Sequence, residues 1–292
     1  MQIRSRIITL FILGLAAVGG VIFFSKNHGE TSGALPIPLP IQGTPLENQA
    51  RYAELSTTSE QTLTTATFPA KKLNLPILVY HIVRPSYPSD SRAVRAIALT
   101  PKTFNAEMKY LRTAGYHIVH FGDLEAYFKT GAPLPSKPII LSFDDGWNDQ
   151  FTYAFPILKA YGYTATFFVF TNAIGRRGFL SWDELRQLLA AGMTIGDHTR
   201  SHPYLTDISS SAALWNEIDG SKKILEKHLG VSINEFAYPF GAYNNVIQML
   251  VKKAGYASAR GDYFSGEQAS NRLYDLSAMN APTTTVLFEK KF

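Results

Sequence analysis

Apolar positions in this chain fall into helical stretches that close at a glycine and short, unbroken runs that follow them. Thr100-Pro101 sets a hydroxyl N-cap ahead of a proline at the first helical position. A helix is predicted from there to Ala114, stopping at Gly115, with a strand over Tyr116–Phe121. A second helix ends near Gly162, before a strand over Thr164–Phe170. A third opens with the capping-box spacing Ser181-Trp182-Asp183-Glu184 and ends near Gly192, before Met193–Gly196. A fourth covers Ala212–Leu229, ends at Gly230 and leads to Phe236–Tyr238; a fifth ends at Gly255, before Tyr256–Ala259. Glycine suits these stops because a helix C-terminus commonly turns through the left-handed region. Ile77–Tyr80 and Ile139–Phe143 each follow a proline and are continuously apolar, as strands buried on both faces are. Strands alternating with helices, about seven in all, predict an α/β fold with a parallel sheet rolled into a distorted (β/α)7 barrel; an open doubly wound sheet is the alternative. No glycine-rich phosphate loop follows the first strand, so the nucleotide-binding form of the open sheet loses support.

The N-terminal pattern differs. Arg4 and Arg6 precede an uncharged apolar run from Ile7 to Phe24. At 1.5 Å per residue this run reaches about 27 Å, close to a bilayer core and longer than a signal-peptide core of about 7–15 residues. Residues 1–26 are therefore expected to be a signal anchor forming a transmembrane helix, with the basic flank cytoplasmic and the rest extracytoplasmic. The small residues between Gly14 and Gly20 leave a cleaved signal peptide, and a secreted or periplasmic product, as the alternative. Residues 27–72 are rich in Pro, Thr, Ser, Gly and Gln and read as a linker. Residues 73–292 read as one globular domain. The chain contains no cysteine, which excludes disulfides and thiolate metal sites. Its net charge of +5 comes without runs of basic residues interleaved with aromatics, so nothing points to nucleic acid.

Candidate chemistry gathers where the apolar runs end. Ile139–Phe143 leads into Asp144-Asp145-Gly146, Met193–Gly196 into Asp197-His198 with His202 four residues on, Ile77–Tyr80 into His81, and Phe236–Tyr238 into Pro239-Phe240-Gly241. Polar residues at the C-terminal ends of parallel strands are where barrels build active sites. Adjacent carboxylates leaving a strand point in different directions, so one can bind a metal while the other serves as a base; Asp-Asp-Gly is also a common turn. His198 and His202 have a spacing that suits two imidazoles on one divalent ion, although Thr199 stands where a zincin helix would need glutamate. Trp182 and Tyr238 offer aromatic faces for a sugar ring, or for packing.

These residues resemble the polysaccharide deacetylases of the NodB-homology type, carbohydrate esterase family 4. Ser142-Phe143-Asp144-Asp145-Gly146 is similar to the family's first motif, His198-Thr199-Arg200-Ser201-His202 to its second, and Ala237-Tyr238-Pro239-Phe240-Gly241 to its third. Leu78-Val79-Tyr80-His81 looks like the rearranged branch whose catalytic histidine precedes the first motif, a branch that includes poly-β-1,6-N-acetylglucosamine deacetylases. The resemblance covers about residues 75 to 290. It implies a metal held by Asp145, His198 and His202, zinc first and cobalt, nickel or iron as alternatives. It also implies Asp144 as general base, His81 as general acid, and the backbone N–H of Phe240 as an oxyanion donor. The implied partner is an N-acetylglucosamine-containing polymer, an exopolysaccharide or peptidoglycan.

The sequence departs from the family at two places. The arginine that commonly opens the third motif, and orients the base, is replaced by Ala237; Arg176, Arg177, Arg200 and Arg260 are candidates for its role. No Asp-Trp segment matches the fourth motif, the nearest being Trp182-Asp183 in reverse order. Two further readings stand beside the deacetylase: a weakly active or inactive glycan-binding envelope protein of the same fold, and a glycosidase. The second needs carboxylates across a cleft, which adjacent Asp144 and Asp145 do not supply.

Overall fold

The computed structural model describes residues 70–261 and 266–292. The expected anchor, and the linker up to residue 69, lie outside these residues. Among the described residues no helix is long and apolar enough to cross a membrane.

Among the described residues eight strands run parallel in one sheet: β1 (Ile77–Tyr80), β2 (His117–Ile118), β3 (Pro138–Phe143), β4 (Thr166–Val169), β5 (Thr194–Asp197), β6 (Glu235–Ala237), β7 (Ser258–Arg260) and β8 (Met279–Asn280). The order is β7-β6-β5-β4-β3-β1-β8, with β2 paired to the start of β3. Leu276, shortly before β8, bridges Arg260 at the end of β7, drawing the two edges of this path together. With β8 only two residues long, the result is a half-barrel and not an evenly closed ring. The segment Lys72–Asn74 pairs antiparallel with Glu267–Ala269 beside it.

Side chains alternate between the faces of each strand, and here the alternation feeds two separate cores. Leu78, Tyr80, Leu141, Phe143, Phe167, Val169, Ile195 and Phe236 join the larger cluster beneath the flanking helices. Ile77, Val79, Ile140, Phe168 and Ala237 join a smaller cluster on the inner face, together with Phe121 and Leu124. Carried one step past each strand, the same alternation puts His81, Asp144 and His198 on the inner side.

The predicted strands Ile77–Tyr80 and Ile139–Phe143 match β1 and β3 to within a residue. The predicted helix from Pro101 is α1 (Pro101–Thr113), capped by Thr100 Oγ1 accepting from Thr103 N at 3.1 Å. The expected strand Tyr116–Phe121 is corrected to β2 alone. The Asp123 carboxylate accepts from His120 N at 2.8 Å and starts a helix at Phe121, α2 (Phe121–Thr130). The single helix expected over Ala212–Leu229 is interrupted by a π turn at Asn216–Gly220, which separates Ser211–Trp215 from Ser221–Leu229.

Two predictions follow from this packing. A Cβ on Gly196 would lie 2.4 Å from two ring carbons of Phe168. That ring is fully buried, with the Arg260 guanidinium 4.7 Å from its centroid and Phe121 against it edge-on. Gly196→Ala should therefore cost about 1–3 kcal/mol in chemical denaturation, and an unchanged midpoint would contradict the account. The second concerns Glu107 of α1, which is wholly buried, takes the Tyr80 hydroxyl at 3.0 Å and has no partner for Oε1 among the described residues. Burial pushes its carboxyl up to about 8, against the pull of Tyr80. An acid whose pKa is raised on folding destabilises the fold increasingly as pH climbs from its unfolded value of about 4.3 toward the raised one. Glu107→Gln should thus be close to neutral at about pH 5 and stabilising at about pH 9 in urea titrations.

Candidate active site

Five non-glycine residues among those described have positive φ, and four of them stand where strands meet this rim: Asp145 (71°), Thr199 (71°), His202 (61°) and Phe240 (58°). Such conformations cost energy for residues with a Cβ and persist where surrounding contacts impose them. Gly146 follows Asp145 at φ 68°, and a Cβ there would lie 2.9 Å from Val169 Cγ1 on the neighbouring strand. The chain therefore turns tightly out of β3, and the two acids separate.

Asp145 turns toward the histidines. Its Oδ1 lies 3.3 Å from His202 Nε2 and 3.7 Å from His198 Nε2, and the two Nε2 atoms are 3.1 Å apart. Ligands about 2.05 Å from a tetrahedral metal stand about 3.3 Å from one another, so this triangle matches the span of one shared ion. The supporting contacts fit the same purpose. His198 Nδ1 bonds the Ala237 carbonyl at 2.8 Å, which leaves Nε2 for a ligand role, and Trp147 Nε1 donates to Asp145 Oδ2 at 3.0 Å. Burial pushes the His198 imidazole down to about 4, against the pull of Asp144 and Asp145, so it is neutral at pH 7 as a metal ligand must be. Burial alone would raise the Asp145 carboxyl; the His202 hydrogen bond and the charges of His198 and His81 outweigh it and hold it well below the usual carboxylate range. The loop carrying both histidines is tied down. Thr199 N donates to Asp197 Oδ1 at 2.7 Å, His202 N to Thr199 Oγ1 at 3.0 Å, and the Glu217 carboxylate accepts from Arg200 N and Ser201 N. Asp197 itself lies on the helix side of β5, where the Tyr256 hydroxyl reaches Oδ2 at 2.6 Å.

Asp144 takes a different partner and forms an ion pair with the Arg260 guanidinium; the two side chains are 5% and 1% exposed. Arg260 belongs to β7, and its Cα is the register partner of Ala237 on β6. The guanidinium expected from Ala237's position is thus supplied by the next strand at the same level. The Gln150 amide donates to the carbonyls of both His81 (2.8 Å) and Asp144 (2.6 Å), linking the exits of β1 and β3. His81 is half-buried directly beyond β1.

The predicted aromatic residues divide. Tyr238 is corrected as a sugar-binding ring: it is 2% exposed, stacks on Tyr243, and its hydroxyl donates to the Tyr274 carbonyl at 3.0 Å. The alternation that turns Ala237 inward turns Tyr238 toward the helix-side core. Trp182 also has a packing role, with its indole stacked on His228 at 4.3 Å. Phe240, half-exposed, packs edge-on against His202 at 4.6 Å. Trp147, Gln150 and Glu217 were not anticipated. Trp147 alone had a local signal, standing two residues past Asp145.

Residues 131–259 match the family model described as polysaccharide deacetylase. The chain is 28% identical over 186 residues to YxkH of Bacillus subtilis, which is named for the same activity; the match covers 64% of this chain and 63% of that protein. It is 27% identical over 182 residues to the poly-β-1,6-N-acetyl-D-glucosamine N-deacetylase of Staphylococcus aureus, covering 57% of this chain and 62% of the relative. The alignments therefore span somewhat under two thirds of the length of these curated relatives. Among solved structures, the Streptococcus pyogenes deacetylase PplD in complex with acetate superposes with a TM-score of 0.67 at 25% identity, covering 72% of this chain and 93% of that one.

The Arg260–Asp144 pair is testable through stability and metal content together. Arg260→Met leaves a buried carboxylate without its cation and should cost about 3–5 kcal/mol. Adding Asp144→Asn to that variant should recover part of the loss in a double-mutant cycle, with metal content unchanged in both. Strictly additive losses would mean that the two groups do not depend on one another.

Proposed function

The chain carries a polysaccharide deacetylase domain, and from that premise we propose that it hydrolyses N-acetyl groups of an N-acetylglucosamine-containing polysaccharide with one divalent metal. The observation that carries this reading is the separation of two adjacent acids, Asp145 toward His198 and His202 and Asp144 toward Arg260. Two imidazoles and one carboxylate suit zinc first, with cobalt, nickel or iron as alternatives. When bound, such an ion polarises a carbonyl oxygen and makes water more acidic.

The protein's own residues handle the protons and the geometry. Asp144, held by Arg260, takes a proton from the water that adds to the acetamide carbon. His81 donates a proton to the nitrogen as the C–N bond breaks, so acetate leaves and the free amine stays on the sugar. The Phe240 N–H, turned by its positive φ, is the donor for the negative charge that develops on the carbonyl oxygen. The Staphylococcus aureus relative's named substrate supports a β-1,6-linked polymer first, with peptidoglycan glycan second. The basic flank and apolar run before residue 26 support an anchored, extracytoplasmic enzyme.

Acetate release by the full chain in detergent, from β-1,6 and β-1,4 N-acetylglucosamine oligomers, tests the reading. Release should favour the β-1,6 oligomers, stop with chelator and return with zinc. His81→Ala should slow it by about 10²–10⁴-fold, and should slow hydrolysis of an O-acetyl ester less, because that leaving group needs less protonation. No release from either oligomer by the metal-loaded chain would overturn the proposal.

A further inference from the structure

We infer that the stacked rings of Tyr204 and Phe240 form a platform for the sugar residue next to the one that reacts, so that the chain discriminates a polymer from a single sugar. The identity of the ligand as a glycan rests on the deacetylase reading; the platform rests on geometry. Tyr204 and Phe240 are 48% and 51% exposed, yet their rings stack at 3.9 Å with 10° between planes. Two half-wet rings stacked on each other bury little surface for the core and leave apolar faces in water, the condition in which an exposed patch marks a binding site. Phe240 keeps its bulky side chain at φ 58°, where glycine or asparagine would sit with less strain. Strain retained at a rim position points to a use for the side chain.

The pair is also fixed and in the right place. Tyr204 follows Pro203 and precedes Leu205, which is completely buried and opens the short turn Leu205–Asp207. Its ring is thereby carried on an anchored backbone. Phe240 meets the His202 ring edge-on at 4.6 Å, which puts the platform one ring's breadth from the candidate metal triad. A β-linked N-acetylglucosamine residue has equatorial substituents and so presents apolar C–H faces. Aromatic rings with a few polar groups nearby are the usual lining for ligands of this shape. A single N-acetylglucosamine at the metal would leave the platform bare, whereas the adjoining residue of an oligomer would cover it.

The test uses the full, metal-loaded chain with Tyr204→Ala and Tyr204→Phe. Initial rates are measured on N-acetylglucosamine and on oligomers of two to five residues, and tetramer affinity by calorimetry. Tyr204→Ala should raise KM and Kd for the tetramer about tenfold and leave kcat and monomer kcat/KM unchanged, while Tyr204→Phe behaves as the wild type. An unchanged tetramer Kd in Tyr204→Ala would overturn the platform. So would a fall in kcat and metal content together, since the ring would then merely support His202. If the wild type releases no acetate at all, the deacetylase reading fails separately. Calorimetry then still decides the platform: tetramer binding weakened by Tyr204→Ala supports it, and absent or unweakened binding overturns it.

Discussion

A guanidinium and a carboxylate buried together on the inner face of a half-barrel constrain everything around them. Arg260 and Asp144 are nearly inaccessible to solvent, and neither charge is tolerable there without the other. Their meeting requires that β3 and β7 present the same face at the same height, although β4, β5 and β6 separate them in the sheet. Phe168 lies beneath the guanidinium, and Gly196 leaves room for that ring. The pair thus depends on the inner core, and the inner core is shaped to hold it.

With Asp144 held by Arg260, the next residue is released for a different task. The left-handed turn at Asp145, and the close approach of Gly146 to Val169, send the second carboxylate toward the histidines. Two acids adjacent in sequence then occupy unlike surroundings, one beside a fixed cation and the other within reach of two imidazoles. The two roles proposed for them, holding a metal and moving a proton, call for such unlike surroundings. The strained backbone at Thr199, His202 and Phe240 belongs to the same rim, where the contacts of Asp197 and Glu217 hold the loop in shape.

Much of this was legible in the sequence where the signal was local. β1 and β3 are uninterrupted apolar runs after prolines, and they could be bounded closely. Asp144 with Asp145, and His198 with His202, stand close enough in the chain to be recognised as groups. Tyr116–Phe121 misled because one apolar stretch serves both β2 and the first residue of α2, and only the Asp123–His120 contact divides them. β8 is two residues long and has no pattern to read. Arg260 was one of four candidate arginines, and its contact with Asp144 spans 116 positions in sequence. Only the pairing of Ala237 with Arg260 across β6 and β7 singles it out. The burial of Tyr238 depended likewise on which face of β6 its ring takes, and an aromatic residue looks the same from sequence on either face.

The most direct test of the account compares metal content and turnover in Asp144→Asn and Asp145→Asn, each purified as the full chain and assayed on the same N-acetylglucosamine oligomer. The account predicts that Asp144→Asn keeps one metal ion per chain while turnover falls by about 10²–10⁴-fold, and that Asp145→Asn loses metal and turnover together. Loss of metal in Asp144→Asn, or turnover that survives in it, would contradict the division of roles between the two acids.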